Sequence, residues 1–329
     1  MGDLTDDEGN ILLSNEDKVR PFQAHNLVWT GAQGQATPLS QAPHCADYQC
    51  SPATEERNRK ALARTKSNSA AGPDGISYRL LKLVKDTPIG QAVIKEIASW
   101  VETGLIPNHA RDLPMVMIPK PGKDHKTVKG WRPIVLAQAA GKLTDKVIAD
   151  SLQDVQDLFH NLQYGGRKSR SATDSLMISI SIAERKYRAG NRVTILGKDI
   201  RSAFNHLRRE GTLQSLRRAR VKPNLILYVE RFLHPRSFDM VFGGSVQGRA
   251  HMDQGTPQGS PLSPVLWLTY ISRTLNAADA RISEAPAGRR SGRTLDNQGT
   301  ENRLALIFSY VDDVNPIIVT KNLSSQEHD

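Results

Sequence analysis

Apolar residues recur along the chain at two spacings. Between Ile89 and Thr103, Val93, Ile97 and Trp100 fall at helical intervals, with Gly104 as the stop and Pro107 beyond it. Leu143, Val147, Leu152, Val155 and Leu158 form a second amphipathic stripe. A third helix is predicted to open with Ser171 and Asp174 in capping-box spacing, to carry Leu176, Ile180, Ala183 and Tyr187 on its core face, and to end at Gly190. Between and after these lie predicted strands at Leu113–Ile118, Arg192–Ile200, Phe238–Phe242 with Gly243 and Gly244 as its turn, and Leu304–Tyr310. The mixture is α+β.

Residues 1–54 are polar, with scattered Pro and Gly and no sustained period, and are expected to form a tail with little order. The remaining chain, with 38% of all 329 residues hydrophobic, suffices for one large core or two modest ones. No run approaches the roughly 20 apolar residues that span a bilayer. The N-terminal acids Asp3, Asp6, Asp7 and Glu8 are the opposite of a cationic signal peptide, so a soluble intracellular protein is expected, nuclear or cytoplasmic. Cys45 and Cys50, beside His44, are too few for a structural zinc site and are read as two free thiols. Arg281 to Arg303, rich in Gly, Arg and Ser, is expected to be an exposed loop.

Charge changes the picture. Tyr164 to Arg220 holds fourteen Lys or Arg against four Asp or Glu, a surplus of ten that equals the net charge of the whole chain. A polyanionic partner is one reading and a solvated basic helix face is the other.

The acids carry the candidate chemistry. An apolar strand delivers Asp199 near its end, and Leu304–Tyr310 runs straight into Val311-Asp312-Asp313-Val314. Asn315-Pro316 then punctuates before Ile317-Ile318-Val319 resumes, which predicts a β-hairpin with two acids at its tip. By itself such a pair is tolerated in water and means little. With a third carboxylate on a neighbouring strand, the oxygens would suit two Mg²⁺ ions, the arrangement that drives in-line nucleotidyl transfer. Spacing does not show that the three converge.

Six segments, in order, resemble the reverse transcriptase domain of non-LTR (LINE-type) retrotransposons. Gly72-Pro73-Asp74-Gly75-Ile76 resembles its opening block. Met117-Ile118-Pro119-Lys120-Pro121-Gly122-Lys123, with Trp131-Arg132-Pro133-Ile134, is similar to the fingers motif. Gln163-Tyr164-Gly165-Gly166-Arg167 followed by Ser171-Ala172-Thr173-Asp174 resembles the next block. Asp199 to Asn205 resembles palm motif A, Gly255 to Pro264 (GTPQGSPLSP) palm motif B almost letter for letter, and Phe308 to Asp313 motif C. Val311 stands where these elements usually have Ala.

The resemblance implies a right-hand polymerase, with fingers at 55–190 and an incomplete palm at 191–329. Asp199, Asp312 and Asp313 become catalytic acids that bind two Mg²⁺, or Mn²⁺ as a substitute. Lys120 and Arg132 would meet the incoming triphosphate. Phe204 would block a 2′-hydroxyl, and Gln258 and Gly259 would lie at the nascent base pair. Partners would be an RNA template, a DNA primer and dNTPs, with the basic stretch along the template backbone. Family members continue past motif C into a primer-gripping hairpin and a thumb, whereas this sequence ends at Asp329, so the expectation is a chemistry set without its clamp. Plainer readings stand beside these: Lys120 and Arg132 as surface residues, Phe204 as core, Gln258 and Gly259 as the cap of the following helix. A catalytically inert remnant that only binds nucleic acid is the competing function, and an RNA-dependent RNA polymerase the third.

Overall fold

The computed structural model describes residues 51–107, 110–111, 113–242, 245–284, 293–295, 301–303 and 305–321, with isolated positions between 4 and 22. In chain order these form α1 (Pro52–Ala63), α2 (Tyr78–Val84), α3 (Pro88–Thr103), β1 (Leu113–Pro119), β2 (Trp131–Val135), α4 (Ala139–Gln153), α5 (Ala172–Arg188), β3 (Asn191–Ile195) and β4 (Lys198–Asp199). There follow α6 (Ala203–His206), α7 (Arg209–Arg218), α8 (Pro223–Phe232), β5 (Arg236–Phe242), β6 (Ser245–Met252), α9 (Ser263–Glu284), β7 (Arg293–Leu295), β8 (Glu301–Arg303), β9 (Ala305–Tyr310) and β10 (Asp313–Lys321). The mixture is α+β, and no described helix is long and apolar enough to cross a membrane.

The chain folds as two discontinuous units, Met1–Val155 with Phe204–Ser263, and Gln156–Ala203 with Pro264–Asp329. In the first unit the sheet order is β2-β1-β5-β6, with β1 antiparallel to β2 and parallel to β5. Strand β1 alternates as its sequence demands: Leu113, Met115 and Met117 are buried, Pro114 and Val116 half-buried. They pack with Trp131, Val135, Phe238, Met240 and Ala250 into one core. Leu4 and Phe22, inside the segment read as a polar tail, are buried in that same core, and Thr5 N donates to Lys126 O at 2.8 Å. Helices α1, α3 and α4 pack on one another, and α8 packs on α3. Helix α3 ends as predicted at Gly104, whose φ of +70° an L side chain rarely adopts.

In the second unit β10 is central, flanked by β9 on one side and by β3 and β4 on the other. The strand predicted over Arg192–Ile200 is broken at Leu196-Gly197 because its partner there is Pro316, which has no N–H to give; only Leu196 N donating to Pro316 O, at 3.0 Å, spans the gap. Against expectation, Asn315-Pro316 does not interrupt β10 itself, which keeps its pairing with β9 through both residues. Tyr164, Phe308, Ile317 and Val319 form the core, with Tyr164 stacked on Phe308 at 6.1 Å.

Helix α5 opens with the predicted capping box at Ser171 and Asp174. Its supposed core stripe is corrected by the structure: Leu176, Ile180 and Tyr187 are exposed, Tyr187 by 72%. Ser175, Ser179, Ile182, Ala183 and Lys186 are its half-buried positions, so of the predicted stripe only Ala183 is partly covered, and Ile182 packs against the sheet core. Periodicity finds apolar stripes but does not say which one meets the sheet. The Arg281–Arg303 segment also differs from a plain loop, since β7 and β8 pair within it. Cys45 and Cys50 lie outside the described residues.

Candidate active site

The acids come together through strand register. Asp313 opens β10 directly opposite Asp199 on β4, and on its other side faces Tyr310 of β9. Residues opposed in an antiparallel pair stand about 4.5–5.5 Å apart at Cα and share one face of the sheet. Asp199, Asp313 and Tyr310 therefore form one row across three strands, and all three are exposed. Like charges placed opposite one another destabilise a sheet, so this row is not explained by folding alone. Asp312 occupies the turn and is half-buried; its backbone oxygen accepts from Ile200 N at 3.2 Å.

Carboxylate oxygens are the hard donors that Mg²⁺ takes, and two exposed acids on one sheet face suit it. Among the described residues no group of three His, Cys, Asp or Glu side chains is drawn close enough to hold an ion. Register thus brings Asp199 and Asp313 together, while Asp312 does not complete a three-ligand cluster with them.

The turn carrying Asp312 is held from two sides, by the QYGGR block and by Trp267, which motif spacing did not single out. Val311 has φ +57°, an outlying conformation for a β-branched residue. Trp267 Nε1 on α9 donates to Val311 O at 2.8 Å. Tyr164 N donates to Ser309 O at 2.9 Å, Ser309 N to Leu162 O at 3.0 Å, and Gly165 lies so near the turn that a β-carbon there would sit 2.7 Å from Val311 N. Buried Gln163 anchors this strap: its Oε1 accepts from Ser272 Oγ at 2.6 Å and from His160 N at 2.9 Å. The QYGGR block is therefore the mould of the acid-bearing turn.

The remaining candidates lie in the first unit. Arg132 is exposed at the start of β2, and half-buried Lys120 follows the end of β1, its Nζ donating to Lys129 O at 2.9 Å. Desolvation, then the positive charges of Arg132 and Lys123, hold the Lys120 ammonium below the usual lysine range. An anion between these cations would relieve that repulsion. Gln258 O accepts from Val135 N at 2.8 Å, which ties motif B to the far end of β2. Gly259 has φ +111°, and a β-carbon on it would meet Val135 O at 2.9 Å and Ile134 Cγ2 at 3.2 Å. Ile134 shares the face of β2 that presents Arg132, so Gly259 and Arg132 lie on one side of that strand. Phe204 is half-buried; its carbonyl accepts from Thr256 N at 3.0 Å, and a β-carbon on Gly255 would come within 2.8 Å of that oxygen.

Residues 118–328 match the family described as reverse transcriptase (RNA-dependent DNA polymerase). Among similar curated proteins, the RNA-directed DNA polymerase from mobile element jockey of Drosophila melanogaster is 26% identical over 259 residues, covering 76% of this chain and 28% of that protein. Its Drosophila funebris counterpart is 25% identical over 307 residues, 91% of this chain and 30% of the relative. The retrovirus-related Pol polyprotein from type-1 retrotransposable element R2 of Popillia japonica is 26% identical over 174 residues, 52% and 24% of the two chains. The chain spans less than a third of the length of these relatives.

Proposed function

The chain belongs to the reverse transcriptase (RNA-dependent DNA polymerase) family, similar to those of non-LTR elements, and we propose that it extends a DNA primer on an RNA template from deoxynucleoside triphosphates. The observation that carries the reading is the opposition of Asp199 and Asp313 across adjacent strands, with Asp312 in the turn between β9 and β10.

Residues 191–329 would serve as palm and residues 55–190 as fingers. Asp199, Asp312 and Asp313 would hold two Mg²⁺, which, when bound, activate the primer 3′-hydroxyl and neutralise charge on the transferring phosphate. Lys120 and Arg132 would bind the triphosphate oxygens, Arg132 through its planar fork. Gln258 and Gly259 would border the nascent base pair, their backbone fixed to β2 so that little ordering remains to be done on nucleotide binding. Phe204 would pack beneath the deoxyribose. The cations between Tyr164 and Arg220, among them exposed Lys168, Arg192, Lys198 and Arg201, would follow template phosphates without reading sequence.

Primer extension by the purified chain on an RNA template with dNTPs and Mg²⁺, beside Asp312→Asn and Asp199→Asn, tests this. Both variants should lose more than about a hundredfold in rate while keeping RNA affinity and circular dichroism. A folded wild-type chain that binds RNA without extending a primer would establish the inert binding protein instead.

A further inference from the structure

Motif B is held from beneath by a buried carboxylate that none of the roles above uses. Asp145, on the inner face of α4 and only 5% exposed, accepts from Ser260 Oγ through Oδ2 at 2.6 Å and from Tyr228 Oη through Oδ1 at 2.7 Å. Ser260 is the middle of the motif B loop, and its hydroxyl also accepts from Leu262 N at 3.0 Å, turning the chain into α9. Further along the same loop Thr256 and Ser263 share a 2.7 Å hydrogen bond, and Ser263 Oγ lies 2.7 Å from Pro257 O. The loop is thus a closed hydrogen-bonded turn, tied at its start to Phe204 O and Leu207 O and at its middle, through Ser260, to Asp145.

Packing beside that bond is incomplete. A small cavity of about 30 Å³ lies beside the loop, lined by Pro257 and Ser260 together with Val135, Gly141, Asp145 and Tyr228. The opposite side of the loop carries Gln258 O and Gly259 against β2, so a shift there moves the residues placed at the base pair. A buried carboxylate that accepts two hydroxyls in low dielectric makes a strong, directional clamp.

We propose that Asp145 is a positioning residue for nucleotide binding: through Ser260 it fixes the Gly255–Ser263 loop against β2. The inference rests on the polymerase reading for its kinetic consequence and on geometry alone for its structural one.

The test therefore has two readouts on the whole chain. Amide hydrogen exchange followed by mass spectrometry, with no substrate present, should show residues 255–263 exchanging about tenfold faster in Ser260→Ala and in Asp145→Leu, the loss expected for a hydrogen bond to a charged group. The double variant should exchange no faster than the worse single one, because both remove one link. In primer extension the dNTP KM should rise about tenfold with kcat changed less than about threefold, as for a lost ground-state positioning contact. Unchanged exchange over 255–263 in both single variants overturns the proposal. So does a rise of equal size in every peptide, which would make Asp145 a packing residue only, or a fall in kcat at constant KM. Exchange needs no turnover, so a wild-type chain unable to extend primers would sink the polymerase reading while the loop is still judged by exchange.

Discussion

The indole nitrogen of Trp267 donates to the carbonyl oxygen of Val311 at 2.8 Å, and Val311 is the left-handed residue immediately before the two acids of the turn. One hydrogen bond thus fixes the peptide that aims Asp312. Trp267→Phe keeps the ring and removes the donor. It should cut primer extension about tenfold while lowering stability by only about 1 kcal/mol. Single-turnover extension and urea unfolding on the same preparations check this; equal rates for both proteins would show that the turn needs no such anchor.

The strain at Val311 predicts an opposite effect on stability. A β-branched residue at φ +57° carries about 1–2 kcal/mol of conformational cost. Val311→Gly should therefore raise the urea midpoint although it deletes side-chain contacts, and it should lower activity by loosening the acids. A lower midpoint would mean that packing of the Val311 side chain outweighs its backbone cost.

Gly165 has no room for a methyl group. A β-carbon would meet Val311 N at 2.7 Å and the Tyr310 carbonyl carbon at 3.0 Å, both backbone atoms that yield only if the turn moves. Gly165→Ala is expected to depress extension by about a hundredfold or more, since small displacements of a reacting group are that costly. RNA affinity, measured by fluorescence anisotropy, should stay within about twofold, because the proposed phosphate contacts are spread over many cations.

Asp145 gives a pH signature in stability. Burial is the largest influence on its carboxyl and raises it from 3.8 to about 6, against the lowering effects of Ser260, Tyr228 and Arg236; Tyr78 also faces it and is itself pushed up, by burial first and the Asp145 charge second. The folded protein then holds this proton more tightly than the unfolded chain does. Its contribution is full below about pH 3.8 and is lost as pH rises through about 6, by up to about 3 kcal/mol at about 1.4 kcal/mol per unit. Asp145→Asn does not titrate, so its stability relative to wild type should climb between pH 4 and pH 7 in urea unfolding. Parallel curves would mean that the carboxylate is better solvated than its burial implies.

Phe204 tests the sugar barrier. Phe204→Ala should improve use of ribonucleoside triphosphates relative to dNTPs by at least about tenfold in kcat/KM, the worth of one steric contact. An unchanged ratio would leave Phe204 as a prop for motif B, a role its backbone bond to Thr256 already fills.

Much of this protein was legible in its letters because the signals are local. Capping chemistry placed the start of α5, a left-handed glycine the end of α3, and alternation the buried side of β1. Motif strings such as GTPQGSPLSP pointed to the family, and the comparisons agree. Tertiary structure decided what depends on partners distant in sequence. The opposition of Asp199 and Asp313 is a matter of register, which a slip of one residue would reverse. Pro316 breaks the neighbouring strand rather than its own, because the hydrogen bond it lacks belongs to the ladder between them. The outward turn of Leu176, Ile180 and Tyr187, the burial of Leu4 and Phe22, and the meeting of Asp145 with Ser260 likewise follow from which surfaces pack together. Periodicity along one segment holds no information about the surface that will cover it, so these contacts had to be seen in the fold.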